Sequence, residues 1–256
     1  AGDLTVISAP TVDDMLSDPV IAEVHTIRKT LVPAAFHGVD AKVYVGGETA
    51  ENAGFNAMMD RYQPLVIAFV LTFSFILLMV AFRSLVAPIT AIVMNLLSVG
   101  SAYGLLVLVF QRGHGASALG LTRAPVIEAW VPLFLFCVLF GLSMDYHVFL
   151  ISRIREHYDL TQKNRESVAV GLQSTARLIT GAAIIMVVVF SSFAAGQLVA
   201  FQQMGFGLAV AIFLDATVVR TVLVPSLMTM LGNANWYLPS WLNWLPDMRI
   251  EGEPAV

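Results

Sequence analysis

Charge is the first thing this chain lacks. Asp, Glu, Lys and Arg make up 12% of its 256 residues and hydrophobic residues 57%, with a mean hydropathy of +0.78, whereas a soluble domain carries about 25% charged residues. The composition is that of a membrane protein. The formal net charge of −4 comes with no Lys/Arg-rich run. Nothing therefore neutralises a phosphate backbone, and nucleic acid is excluded as a partner. Cys137 is the sole cysteine, so an intramolecular disulfide is excluded, and within an apolar run it acts as a small apolar side chain. The five histidines are scattered without metal-ligand spacing, so no metal is expected. Gly46-Gly47 and Gly113-His114-Gly115 lack the Lys and Ser/Thr of a nucleotide loop, so no cofactor is expected either. The remaining cheap energy source is an ion gradient, worth about 2.3 kcal/mol per charge per 100 mV. The chain opens without Met or a signal peptide, which leads us to expect that it begins inside a longer protein.

The apolar residues are unevenly spread. Residues 1–63 hold an ordinary share of charge and alternate strand and helix signals. Leu4-Thr5-Val6-Ile7 and Ala41-Lys42-Val43-Tyr44-Val45 predict strands; Pro19 opens a helical pattern through Ile21, Val24, Ile27 and Leu31, and residues 48–62 predict a helix running into the membrane. This partial α/β segment is too short for a secure core of its own. Five transmembrane spans follow within 64–231, at about 64–82, 86–110, 130–152, 178–195 and 204–230, each long enough to cross about 30 Å of hydrocarbon. Pro88 and Pro132 fall in first turns, where a missing N–H costs little. Arg153, Arg155, Lys163, Arg165 and Arg177 lie in the expected loop 153–177, and Arg83 in the loop on the same side. Lys and Arg collect on the cytoplasmic face, so residues 1–63 and the Gly-rich loop 111–128 are expected outside. The tail 232–256 is then cytoplasmic, with Trp236, Tyr237, Trp241 and Trp244 as interfacial anchors beside membrane lipids.

The span from Trp130 to Ser152 carries Asp145 about 6 Å past its midpoint. An ionised carboxylate there costs about 2.5–3.5 kcal/mol on insertion scales, so it faces protein, pairs, protonates or lines a wet cavity. Gly141, four residues earlier, shares its face and would admit a close neighbouring helix. Tyr146 is turned about 100° from Asp145 and is better placed for a carboxylate on another helix. Asp145 and Tyr146 form either a proton relay or a hydrogen-bonded structural pair. Asp215 and Arg220 in the last span invite pairing. Five residues of α-helix separate them by about 140°, which favours pairing across helices, as a coupling site or a structural lock. His147 has either a structural or a coupling role. Asn95, Ser98, Thr180, Ser191 and Ser192 are expected to make helix-packing hydrogen bonds.

The run from Gly141 through Asp145-Tyr146 to Arg153-Ile154-Arg155-Glu156 resembles the signature of the MMPL family, the mycobacterial membrane protein large transporters of the resistance-nodulation-division superfamily. Leu214-Asp215-Ala216-Thr217 leading through Arg220 to Leu223-Val224-Pro225 is a second match, Gly232-Asn233-Ala234-Asn235-Trp236 a third, and Tyr44-Val45-Gly46-Gly47 looks like the end of the family's periplasmic porter-like domain. The resemblance implies an inner-membrane exporter of lipids or other hydrophobic molecules, driven by protons, of which this chain is the C-terminal part. It implies an RND-type helical bundle in which Asp145-Tyr146 is one of two Asp-Tyr pairs. The other would come from a missing N-terminal half or a second subunit. His147 departs from the acidic residue often found there.

Two other functions compete. An intramembrane aspartyl protease would use Asp145 and Asp215 as a shared-proton dyad, yet Asp145 sits in Gly-Leu-Ser-Met-Asp and not in Gly-x-Gly-Asp. A secretion accessory or sterol-sensing relative would share the bundle and differ in cargo.

Overall fold

The computed structural model describes residues 4–10, 18–242 and 244. It divides after Pro64 into two compact units. In the first, α1 (Asp18–Thr26) continues through a π-helical turn (Ile27–Leu31) into α2 (Val32–Ala35). Val20, Val24, Ala50 and Ala53 are buried, and Arg28 Nη2 donates to the carbonyls of Val45 (2.9 Å) and Ala50 (3.0 Å). The expected strands are absent: the described residues contain none, and Leu4–Ile7 and Ala41–Val45 are irregular and largely exposed. A strand needs a hydrogen-bonded neighbour, and neither run finds one among the described residues. Among its described residues the segment is helical where it is regular, and the strands of the expected α/β pattern do not form there.

Among the described residues, five helices are long and apolar enough to cross a membrane: Glu48–Phe82, Val86–Gln111, Trp130–Thr161, Asn164–Ala194 and Val199–Trp236. They comprise α3 (Glu48–Phe82), α4 (Val86–Leu106, extended by a π turn at Val107–Gln111), α5 (Trp130–Thr161), α6 (Asn164–Ala194) and α7 (Val199–Leu214), the last continuing through a π-helical segment (Asp215–Leu223) into α8 (Val224–Leu231). The five spans and their order agree with the hydropathy reading; several ends do not. The helix of 48–62 and the first span are one helix with Pro64 inside it. Residues expected to form the basic loop 153–177 are mostly helical, because α5 runs to Thr161 and α6 begins at Asn164. Arg153–Glu156 (2.9 Å) and Arg155–Asp159 (3.0 Å) pair along α5, the spacing that supports a helix beyond its apolar stretch. Gln162, left-handed at φ 56°, ends it.

α4, α5 and α7 form the packed centre of the second unit around Leu106, Phe110, Leu135, Leu139, Phe140 and Leu208, all at most 1% exposed. Near the start of α5, the buried side chains of Gln202 and Gln203 hold the loop between α4 and α5. Gln202 accepts from Thr122 N (2.9 Å), and Gln203 accepts from Glu128 N (3.0 Å) while donating to Val126 O (3.0 Å). At the other end Trp236 stacks on Tyr158 with centroids 5.3 Å apart, and Arg155 lies 4.8 Å over its ring. Trp236 is therefore packed against protein, whereas Tyr237, Trp241 and Trp244 are exposed. Of the tail expected at 232–256, residues 243 and 245–256 lie outside the described residues.

Candidate functional site

Three of the five spans meet at Asp215. Its carboxylate is buried, as is Arg220, and Arg220 Nε donates to Asp215 Oδ2 at 2.9 Å. The pair is intrahelical, against the expectation of pairing across helices. The reason is local geometry: residues 215–223 are π-helical, and a π-helix bonds residues five apart, which stacks Asp215 over Arg220. Such a pair is neutral overall but costly to desolvate, and it needs further hydrogen bonds to hold it.

Those bonds come from α4 and α5. Ser98 Oγ donates to Asp215 Oδ1 (3.2 Å) and Ser143 Oγ to Oδ2 (3.0 Å). Arg220 Nη2 donates to Ser143 Oγ (2.9 Å) and to the Ser143 carbonyl. Ser143 Oγ also lies 2.5 Å from Asn95 Oδ1, yet a hydroxyl has only one proton to give. Turning the Asn95 amide over brings its otherwise unpartnered Nδ2 against Ser143 Oγ, and amide orientation is fixed by such networks. Ser143 then accepts from Asn95 and Arg220 and donates to Asp215. Its part was not singled out from sequence, where a serine in an apolar span is unremarkable. The signal was its spacing of four from His147, which places both on one buried face.

Asp145 stands elsewhere. Two residues beyond Ser143, it is turned about 200° round α5 and is exposed. Phe134, Val138 and Gly141 precede it on the same stripe, with Phe134 and Gly141 also exposed. Among the described residues no hydrogen bond or ion pair reaches it. Tyr146, half-buried, lies between the two sites: its ring carries the Arg220 guanidinium 5.1 Å above it, and its hydroxyl donates to Met186 Sδ at 3.4 Å. The structure thus brings Tyr146 to Arg220, not to a carboxylate of another helix. His147 is buried at 1% exposure beside Ser143's face, with Nε2 unpartnered.

A family model described as the MMPL family matches residues 6–246. The chain belongs to the MMPL family. It is therefore a multi-pass protein of the bacterial inner membrane, in keeping with its five apolar helices. Among similar proteins, the "Mycolic acid-containing lipids exporter MmpL11" of Mycolicibacterium smegmatis is 44% identical over 84% of this chain and 22% of its own length. The "Heme uptake protein MmpL11" of Mycobacterium tuberculosis is 46% identical over 79% of the chain and 21% of its own length. The "Trehalose monomycolate exporter MmpL3" of M. smegmatis is 38% identical over 86% of the chain and 21% of its own length. This MMPL chain thus spans about a fifth of the length of these relatives.

Proposed function

We propose that this MMPL chain is the C-terminal part of a transporter that exports lipids or other hydrophobic molecules across the cytoplasmic membrane at the expense of the proton gradient. The observation that carries the reading is Asp145: a carboxylate exposed on an apolar stripe of a spanning helix, with no partner among the described residues. Facing lipid, it would be expensive. A second helical bundle, from an N-terminal half or another subunit, would cover the stripe and supply its partner. Asp145 would then take and release protons as the halves rock about it, with Tyr146 as the link to the Asp215–Arg220 centre. Exporter names among the relatives support the lipid class of substrate. Residues 1–63 belong, on this reading, to the end of an extracytoplasmic porter-like domain, and the basic ends of α5 and α6 to the cytoplasmic side.

The protease alternative fares poorly. Asp215 is engaged by Arg220, Ser98 and Ser143, while Asp145 lies on the other side of α5, so the two do not form a shared-proton dyad. The decisive experiment is Asp145→Asn in the complete transporter. We expect loss of gradient-driven lipid export, at least about tenfold, as for a positioned proton-transfer group, with unchanged insertion and abundance. Export at the normal rate by that variant would overturn the relay.

A further inference from the structure

The buried centre leaves one arm of Arg220 unused. Nε is on Asp215 and Nη2 on Ser143, but Nη1 is buried without a partner among the described residues. His147 Nε2 is likewise buried and unpartnered among them. Helical spacing puts the two residues at about one level of the bundle. α5 and the span Val199–Trp236 that begins with α7 run in the same direction, since α6 returns between them, and they are joined near both ends: Gln203 to Glu128, just before α5, and Trp236 to Tyr158. Ser143 and Asp215 are level, joined by a hydrogen bond of 3.0 Å. One turn further along α5, on the same face, is His147; one π turn further along from Asp215 is Arg220. With its proton on Nδ1, His147 offers Nε2 as an acceptor, and Nη1 is a donor.

We infer that His147 is the alternative acceptor for Arg220, the group to which the guanidinium transfers when Asp215 is neutralised by a proton. Proton uptake at Asp215 removes the counter-charge of a buried cation, which is strongly unfavourable unless another acceptor takes it up. The surroundings supply few. α4 brings Asn95 and Ser98, α6 brings Met186, and α5 brings Ser143, the ring of Tyr146 and the outward-facing Asp145. His147 is thus a positioning residue: it keeps the Arg220 charge over Tyr146 in both states of Asp215. Its use in transport rests on the proton-coupled reading above; the contact itself does not.

The test is a double-mutant cycle on the melting temperature of the complete transporter in lipid nanodiscs. Asp215→Asn stands for the protonated carboxyl, and Asp215→Ser is the second neutral variant should the first fail to fold. His147→Leu is expected to lower the melting temperature by about 1 °C more in the neutral background than in the wild type. His147→Gln, which retains an acceptor, is expected to remove most of that excess. Equal drops in the two backgrounds, or Gln no better than Leu, would sink the assignment. No transport is measured, so such a result leaves the role of Asp145 untouched, and a failure of the Asp145 relay leaves the cycle interpretable.

Discussion

At Ser143 one hydroxyl donates to Asp215 and accepts from Arg220, and the same residue's carbonyl accepts again from Arg220. Ser143→Ala keeps the carbonyl and removes the hydroxyl, leaving Asp215 Oδ2 with Arg220 alone. Hydrogen bonds to charged groups are worth about 1.5–3 kcal/mol, so a clear loss of stability is expected in thermal melts of the complete protein, with Ser143→Thr losing less. Ser101 makes only a bond of 2.8 Å to Leu97 O within its own exposed turn, so Ser101→Ala is the neutral control. The costly residues were legible in the sequence, because Asp145, Asp215 and Arg220 stand out in apolar spans. Their arrangement was not. Ideal α-helical geometry separates Asp215 from Arg220, and only the π-helical hydrogen bonding of 215–223 unites them.

The spans were legible for a simple reason: hydropathy reports the length of an apolar run, and five such runs are present. Helix ends were less so, because charged i,i+3 and i,i+4 pairs extend α5 past its apolar part without changing hydropathy. The strand signals near the start failed because β-propensity reports fitness for a half-buried sheet and not the presence of a neighbour. Helix packing, too, depends on contacts that no local pattern contains. A Cβ at Gly205 would lie 2.5 Å from Ala194 N and 2.6 Å from Phe190 O, both backbone atoms at the end of α6. Backbone cannot give way as a side chain can, so Gly205→Ala must push α7 off α6. Gly104→Ala on α4 meets nothing within 4 Å and gains up to about 1 kcal/mol of helix propensity. Opposite signs are expected for the two substitutions in melting temperature; no loss at Gly205→Ala would mean that α6 and α7 do not approach so closely.

On the scale of the whole second unit, two polar clamps close the two ends of the bundle, and they should fail independently. At the end carrying Arg153 and Arg155, Asn235 Nδ2 donates to the carbonyls of Met228 (2.6 Å) and Gly232 (2.7 Å), and Asn164 Nδ2 also donates to Met228 O (2.9 Å). The Asn235 carbonyl accepts from Ser84 Oγ at 2.5 Å, and Leu85 N donates to Tyr237 O at 3.1 Å. The turn between α3 and α4, the start of α6 and the end of α8 are thereby tied through one short 3₁₀ segment, Gly232–Trp236. Asn235→Ala removes two donor bonds, each worth about 1 kcal/mol net, and frees the segment that Leu85 N bonds to. Since each 1.4 kcal/mol is about tenfold in an equilibrium, hydrogen exchange at the Leu85 amide should accelerate at least about tenfold. The Glu128 amide, held by Gln203 at the opposite end, should exchange as before. Equal acceleration at both amides would mean that the bundle opens as one body, and the clamp would then be part of a single cooperative unit instead of a local lock.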